Sequence, residues 1–389
     1  MAEAAAPSSS EQRDEAKPRY VINEIPRSQW PDGVPAVMGA HLMESGQVAP
    51  LSTSKGPGEG NVPHMFQYHT DETDTHVCQY ADFNAAARGM VAQVASLSAK
   101  AIEERGAFVL AISGGSMLKA LGEFKQAKDV DFSKWWVTFV DERNVPHSSD
   151  DSTYKGAKGP FLDALPIPAE QVRAQMCFTA HLNVIRSDAT QRCRRYCNIL
   201  TTVKISSPWG RSDRSKSTRQ PPRRAAQVLE IHEGLTAEQA ATNYEGRMLD
   251  VPPSTLPRDD SGMPVLDCIL LGTGPDGHIA SLFPNHPALA VKEGWILPIT
   301  DSPKPPPERI TFTLPAINAA KAVLFLACGS GKAEVVHRAL ECQALPGAIP
   351  AQLVRPASGT VTWLLDLESS AQLEIASWDD KKAHPRSQV

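Results

Sequence analysis

The apolar run at 265–271 ends abruptly in Gly272-Thr273-Gly274-Pro275-Asp276-Gly277-His278, and no other stretch constrains the chain as tightly. Such a run reads as a buried strand. The three glycines let the backbone turn sharply and approach a ligand, because no Cβ blocks it. Asp276 and His278 are expected to open a short helix at the carboxyl end of that strand, the place where open α/β sheets bind their ligands. Gly272-x-Gly274-x-x-Gly277 also matches a dinucleotide fingerprint. However, Pro284 would cut the following helix after about two turns, too soon for a dinucleotide unit of roughly 30 residues. A lone histidine is often a cap or a core residue. Here a carboxylate two positions away and a glycine loop beneath it favour catalysis.

Taken in order, the chain alternates helices with strands. Apolar residues at helical spacing (Met90, Val91, Val94, Leu97, Ile102) make 83–104 an amphipathic helix, ended by Gly106. Strands are expected at 108–112, 135–140, 265–271, 296–299, 308–314, 323–327, 351–354 and 361–366, and helices at 117–124, 160–165 and 236–248. Thr236 and Gln239 fit a capping box at the start of the last helix. This alternation specifies an α/β fold: a doubly wound, mostly parallel sheet with helices on both faces.

Several of these strands end in groups that suit anions or acid–base work. Ser113-Gly114-Gly115-Ser116 feeds a helix N-terminus, where free N–H groups and the dipole favour a negative ligand. It is neither a Walker loop nor a Gly-x-Ser-x-Gly nucleophile elbow. Asp141-Glu142-Arg143 follows the strand at 135–140, Arg309 opens another, and Lys332 stands where a helix begins after 323–327. A cationic, glycine-lined pocket suits a phosphorylated small molecule. Arg309 offers a planar fork and Lys332 a point charge, although a surface ion pair is the plainer role for each.

The stretch from Gly272 to Pro284 resembles the Gly-x-Gly-x-Asp-Gly-His-x-Ala-Ser-Leu-Phe-Pro signature of the 6-phosphogluconolactonases, which share a superfamily with the glucosamine-6-phosphate deaminases. Thr273 and Ile279 stand where that family more often has Met and Thr. Asp141-Glu-Arg-x-Val-Pro146 and Ser152-Thr-Tyr154 extend the likeness, which covers about 77–172 and 228–377. The resemblance implies hydrolysis of a phosphorylated sugar lactone, with phosphate ligands among Ser113–Ser116, Gly274, Gly277, Arg309 and Lys332. For that reaction, neutral His278 is cast as the general base, Asp276 as its orienting partner, and Arg143 or the glycine-loop N–H groups as stabilisers of the oxyanion. Asp141 completes the candidate catalytic set. No metal or redox cofactor is called for, and Cys193-x-x-x-Cys197 lacks the second ligand pair that zinc needs. The deaminases carry a Glu shortly after the His; Leu282-Phe283-Pro284 occupies that region here. A non-catalytic sugar-phosphate-binding protein is the other alternative.

Residues 1–75 read as a largely irregular N-terminal arm, 76–378 as the α/β domain and 379–389 as a polar tail. Within the domain, 173–227 carries twelve Lys and Arg against two acids, while the whole chain has a net charge of −5. Such composition reads as a disordered insert, either a lineage-specific loop or retained intron sequence, with a small chance of a nucleic-acid-binding arm. Gln171-Val172 and Gln227-Val228 frame it, and joining 167–172 to 229–232 would restore one continuous strand. Seven scattered cysteines point to a reducing compartment. No apolar run spans a bilayer. The acids Glu3, Glu11, Asp14 and Glu15 argue against a transit peptide, so cytoplasm is the expectation, with a plastid left open. Oligomeric state is not legible.

Overall fold

The structure, a computed structural model, describes residues 21–29, 64–69, 74–173 and 235–377. Twelve strands are found among them: β1 (Val21–Glu24), β2 (His64–His69), β3 (Asp74–Tyr80), β4 (Phe108–Ile112), β5 (Trp135–Phe139), β6 (Asp141–Arg143), β7 (Val172–Arg173), β8 (Cys268–Leu271), β9 (Ile296–Ile299), β10 (Arg309–Phe312), β11 (Ala322–Ala327) and β12 (Thr360–Asp366). Nine form one sheet in the order β1-β2-β3-β12-β11-β8-β4-β5-β7, and β6-β10-β9 form a second. From β3 to β7 every pairing in the large sheet is parallel. The small sheet is antiparallel.

The helices are α1 (Phe83–Arg105), α2 (Met117–Leu121), α3 (Thr153–Ala157), α4 (Ala237–Leu249), α5 (Leu314–Asn318) and α6 (Ala333–Glu341). They lie on both faces because the strands are apolar on both. Phe108, Leu110 and Ile112 pack into one cluster with Met90 and Val94 of α1. Val109, Ala111, Ile269 and Leu271 pack into the other with Tyr244 of α4 and Val336 of α6. The expected doubly wound α/β sheet is therefore what forms. Its order reverses between β4 and β8, which leave toward opposite edges, so their carboxyl ends frame a topological switch point.

Helix caps follow the sequence signals. Asp82 Oδ1 accepts from Ala85 N at 2.7 Å, and Gly106 closes α1 in the left-handed region. Thr236 and Gln239 form the expected capping box.

Three expectations need correction, and the N-terminal arm contributes two strands. β1 and β2 extend the sheet antiparallel, because Met65, Phe66 and Tyr68 are apolar enough to be buried. Tyr68 also donates to Glu341 Oε1 at 2.8 Å, tying β2 to α6. The stretch 351–354 is no strand. Pro350 opens a 3₁₀ turn, Pro350–Leu353, instead. The helix expected at 160–165 starts earlier, at Ser152, whose Oγ caps α3, and passes Pro160 as one wide π turn over Lys158–Leu162. Ile167 lies outside any strand: β7 begins at Val172 and pairs with Val137 and Thr138 of β5. Arg173 thus belongs to the sheet, and the rest of the basic insert, like 30–63 and the tail, lies outside the described residues.

Candidate active site

No helix follows Gly277, contrary to expectation. The chain makes two consecutive tight turns. Gly277 N–H donates to Gly274 O at 2.9 Å, closing Gly274-Pro275-Asp276-Gly277, with Pro275 supplying the φ that such a turn wants. Gly277 sits at φ +85°, and a Cβ there would lie 2.8 Å from Ile349. Its carbonyl accepts from Ala351 N–H at 3.1 Å, so the 3₁₀ turn mistaken for a strand buttresses the loop. Ile279 and Leu282 then pair across the second turn. Antiparallel pairing satisfies these backbone groups and leaves no room for helical ones.

The result is a preset carboxylate–imidazole pair. Asp276 Oδ1 lies 2.5 Å from His278 Nδ1, and the imidazole packs against Phe283 with centroids 5.1 Å apart and the rings tilted by 37°. Gly274 supports the pair by lacking a side chain: a Cβ would overlap the imidazole and approach Asp276 Oδ1 to 2.5 Å. Burial tends to raise the Asp276 carboxyl, but the hydrogen bond and charge of His278, joined by Lys304, hold it down at about 2. Burial lowers the His278 pKa, and Asp276 only partly opposes it. The imidazole is therefore held neutral at physiological pH, with Nε2 directed away from the carboxylate.

Around this pair the structure assembles most of the sequence candidates. Ser113 is buried, and its Oγ accepts from Gly272 N–H at 3.1 Å, which ties the turn 113–116 to the His278 loop. Gly114 abuts Thr153 of α3, while Gly115 turns at φ +71° and Ser116 opens α2 without a side-chain cap. Lys332 donates to Thr273 O at 2.7 Å from the start of α6. Asp141 is buried and accepts from Ser281 Oγ at 2.8 Å, anchoring the far side of the loop. Arg143 lies directly across the small sheet from Arg309, and its Nη1 donates to Asp151 O at 2.7 Å. Its Nε is buried without a partner among the described residues. Like charges placed opposite each other destabilise a sheet, so an anionic ligand is the natural third party.

Arg309 is held by the protein itself. It is 3% exposed. Its Nε donates to Pro306 O at 3.0 Å and its Nη2 to Lys304 O at 2.9 Å and Pro305 O at 3.2 Å; Nη1 reaches Ser281 Oγ at 3.4 Å. Four of its five N–H groups are thereby committed to the loop 304–306 and the His278 loop. Such an arginine acts first as a clamp. We expect Arg309→Ala to reduce kcat/KM on phosphorylated and unphosphorylated lactones alike, and to destabilise the protein by about 2–3 kcal/mol. Parallel kinetics on both substrates with a melting curve check this; a loss confined to the phosphorylated lactone would return Arg309 to phosphate binding.

Glu142, named in the sequence only as part of Asp141-Glu142-Arg143, is 2% exposed and accepts from the N–H groups of Arg143, Thr153 and Tyr154, each at 2.8 Å, locking the Arg143 turn to α3. One participant escaped the sequence reading. Lys304 places Nζ 3.0 Å from His278 Nδ1 and 3.3 Å from Asp276 Oδ1. It sits in Ser302-Pro-Lys-Pro-Pro-Pro307, where prolines announce a loop but nothing announces its destination.

A family model described as glucosamine-6-phosphate isomerases/6-phosphogluconolactonase matches residues 81–213 and 211–363. A probable 6-phosphogluconolactonase 1 of Arabidopsis thaliana is 36% identical over 293 residues, 73% of this chain and 88% of the relative. The chain belongs to the glucosamine-6-phosphate isomerase/6-phosphogluconolactonase family. A probable 6-phosphogluconolactonase 1 of Oryza sativa subsp. japonica is 34% identical over 345 residues, 86% of this chain and 93% of the relative. Among solved structures, the 6-phosphogluconolactonase of Trypanosoma cruzi superposes with a TM-score of 0.55 at 19% identity, covering 77% of this chain and 96% of that one. The enzyme of Trypanosoma brucei gives 0.54 at 21%, covering 78% and 100%. These structures share the fold of this family member.

Proposed function

We propose that this chain is a 6-phosphogluconolactonase, hydrolysing 6-phospho-D-glucono-1,5-lactone to 6-phosphogluconate in the oxidative pentose phosphate pathway. The names of its relatives support the substrate. The observation that carries the chemistry is the Asp276–His278 pair, fixed at 2.5 Å with Nε2 left to act. In this reading Nε2 takes a proton from a water molecule as the water oxygen bonds to the lactone carbonyl carbon. Negative charge then develops on the carbonyl oxygen, where Arg143 or the N–H groups of the turn 113–116 stabilise it. As the C–O bond to the ring oxygen breaks, the imidazolium returns its proton to that oxygen. Asp276 holds the ring in place and stabilises the imidazolium between the two transfers. Arg143, Lys332 and the turn 113–116 supply the positive lining for the phosphate.

Phe283 packs on the imidazole where a ring-opening carboxylate would be needed for deamination, which supports the lactonase reading over the deaminase one. Assay of the purified protein with 6-phosphogluconolactone, against the spontaneous background, and with glucosamine 6-phosphate tests the choice. Turnover of the amino sugar alone would reject it.

The pH profile offers a further check. A base whose pKa is lowered stays neutral to lower pH, so the acid limb of kcat/KM should have its midpoint below 6.5, the usual histidine value. A midpoint above 6.5 would contradict the geometry. As to location, no described helix is long and apolar enough to cross a membrane, and one Arabidopsis relative is named chloroplastic. Our reading keeps the cytoplasm, and imaging a full-length fluorescent fusion decides between it and a plastid.

A further inference from the structure

Asp276 Oδ1 is shared between two partners. His278 Nδ1 lies 2.5 Å from it and Lys304 Nζ 3.3 Å from it, and Nζ and Nδ1 are themselves 3.0 Å apart. An ionised carboxylate only accepts and an ammonium only donates. The 2.5 Å contact therefore takes the proton on Nδ1 and leaves the lone pair on Nε2. With Nδ1 engaged in this way, the imidazole offers Lys304 no acceptor. The 3.0 Å approach is that of a cation to a proton donor, sustained by the carboxylate oxygen that both bind. Any positive charge that the ring takes on meets the ammonium at this distance and is repelled by it.

We propose that Lys304 is a positioning residue of the base: it divides Asp276 with the imidazole and sets a fixed positive charge against the ring, so that His278 stays neutral at rest and parts readily with the proton it has taken from water when the lactone ring oxygen departs. The proton passes from water to Nε2 and from Nε2 to that oxygen, while the lysine keeps all of its own. The role of His278 rests on the lactonase reading above; the effect of Lys304 on the ring belongs to the three side chains.

The surroundings hold the lysine to this task. Its backbone N–H donates to Ser302 Oγ at 3.2 Å, and its carbonyl accepts from Ser302 Oγ at 2.8 Å and from Arg309 Nη2 at 2.9 Å. Its side chain is 41% exposed, so the head keeps its proton while the stem is fixed. The other charges near the loop stand behind intermediaries. Asp141 accepts from Ser281 Oγ at 2.8 Å, and Arg309 meets the Phe283 ring that packs against the imidazole. Lys332 is turned to Thr273 O at 2.7 Å. Among the described residues, Lys304 is thus the cation in direct contact with the ring. The balance on His278 agrees: burial lowers its pKa, Asp276 opposes this in part, and the Lys304 charge lowers it again.

NMR on the full-length protein labelled with ¹³C-histidine follows the protonation of His278 against pH, with its signal assigned by loss in His278→Gln. Lys304→Met should raise the midpoint by about one pH unit, a tenfold gain in proton affinity, which is the effect of one unit charge at roughly 3 Å in a water-like dielectric. Lys304→Arg keeps the charge and should titrate close to the wild type. A Lys304→Met protein with an unchanged midpoint, or a Lys304→Arg protein that shifts as far, overturns the proposal. Lys304→Gln gives the same reading if the methionine variant fails to fold. In a second arm, the acid limb of kcat/KM should move upward by the same amount in Lys304→Met, since the ionisation of the substrate itself is common to both proteins. A raised KM with the limb in place would make Lys304 a substrate ligand and overturn the proposal. The NMR arm needs no turnover. A shifted midpoint in a protein without lactonase activity would therefore reject the function and keep the effect of Lys304, whereas an unshifted midpoint in an active lactonase would reject the proposal and keep the function.

Discussion

Replacing His278 with alanine is expected to lower kcat by roughly 10²–10⁴, the range a positioned general base contributes. Three features of one loop lead to this result. The turn closed by Gly277 N–H fixes the backbone, Asp276 at 2.5 Å fixes the ring, and burial keeps the imidazole neutral. Alanine removes the proton acceptor and leaves Lys332, Arg143 and the turn 113–116 untouched. Binding of 6-phosphogluconate, measured by calorimetry, should therefore change only a few-fold. Because lactones hydrolyse unaided, the rate must be read against the uncatalysed background. A variant that turns over like the wild type would remove His278 from the chemistry.

The second large effect is expected from a residue with no functional group. Gly274→Ala would drive a methyl group into the His278 ring, at Cε1 and Nδ1, and to 2.5 Å from Asp276 Oδ1. These are the atoms that make the hydrogen-bonded Asp276–His278 pair, so one partner must leave its place. Misplacing a catalytic group by about 1 Å costs on the order of 10²-fold, and we expect a fall of at least that size in kcat. Stability should change little, because the loop lies outside both apolar clusters at this point and the backbone at Gly274 has no positive φ. Kinetics paired with a melting curve test this. Normal turnover in a normally folded Gly274→Ala variant would show that the pair tolerates displacement and that its observed geometry is incidental.

Local patterns carried the elements and their caps. The period of Met90, Val94 and their neighbours gave α1, the unbroken apolar runs gave β4, β8 and β11, and Thr236 with Gln239 gave the start of α4, since each depends on residues adjacent in the chain. Where local signals competed, they misled. The stretch after Gly277 carries helix-compatible residues, yet its N–H and C=O groups find partners across a turn and on Thr311 and Ala351, none of them foreseeable from neighbours. Strands β1 and β2 were missed for a related reason. A short strand gains its stability from the sheet edge it joins, and that edge, β3, is completed by β12 near the other end of the chain.

The sequence by itself determined the α/β class, the alternation of α1, β4, β5, α4, β8 and β11, and the juxtaposition of Asp276 and His278, because these two are two residues apart and one glycine turn brings them together. The tertiary structure alone decided which cations face that pair. Arg309 donates to the carbonyls of 304–306, and that clamp delivers Lys304, read only as part of a proline-rich turn, to 3.0 Å from His278. The two lysines and the histidine sit on three different connections, brought together by the parallel packing of β8 and β11 and by the small sheet beside them. Charge–charge distances between such segments depend on how the strands pair, and a strand's pairing partners are set by the whole sheet.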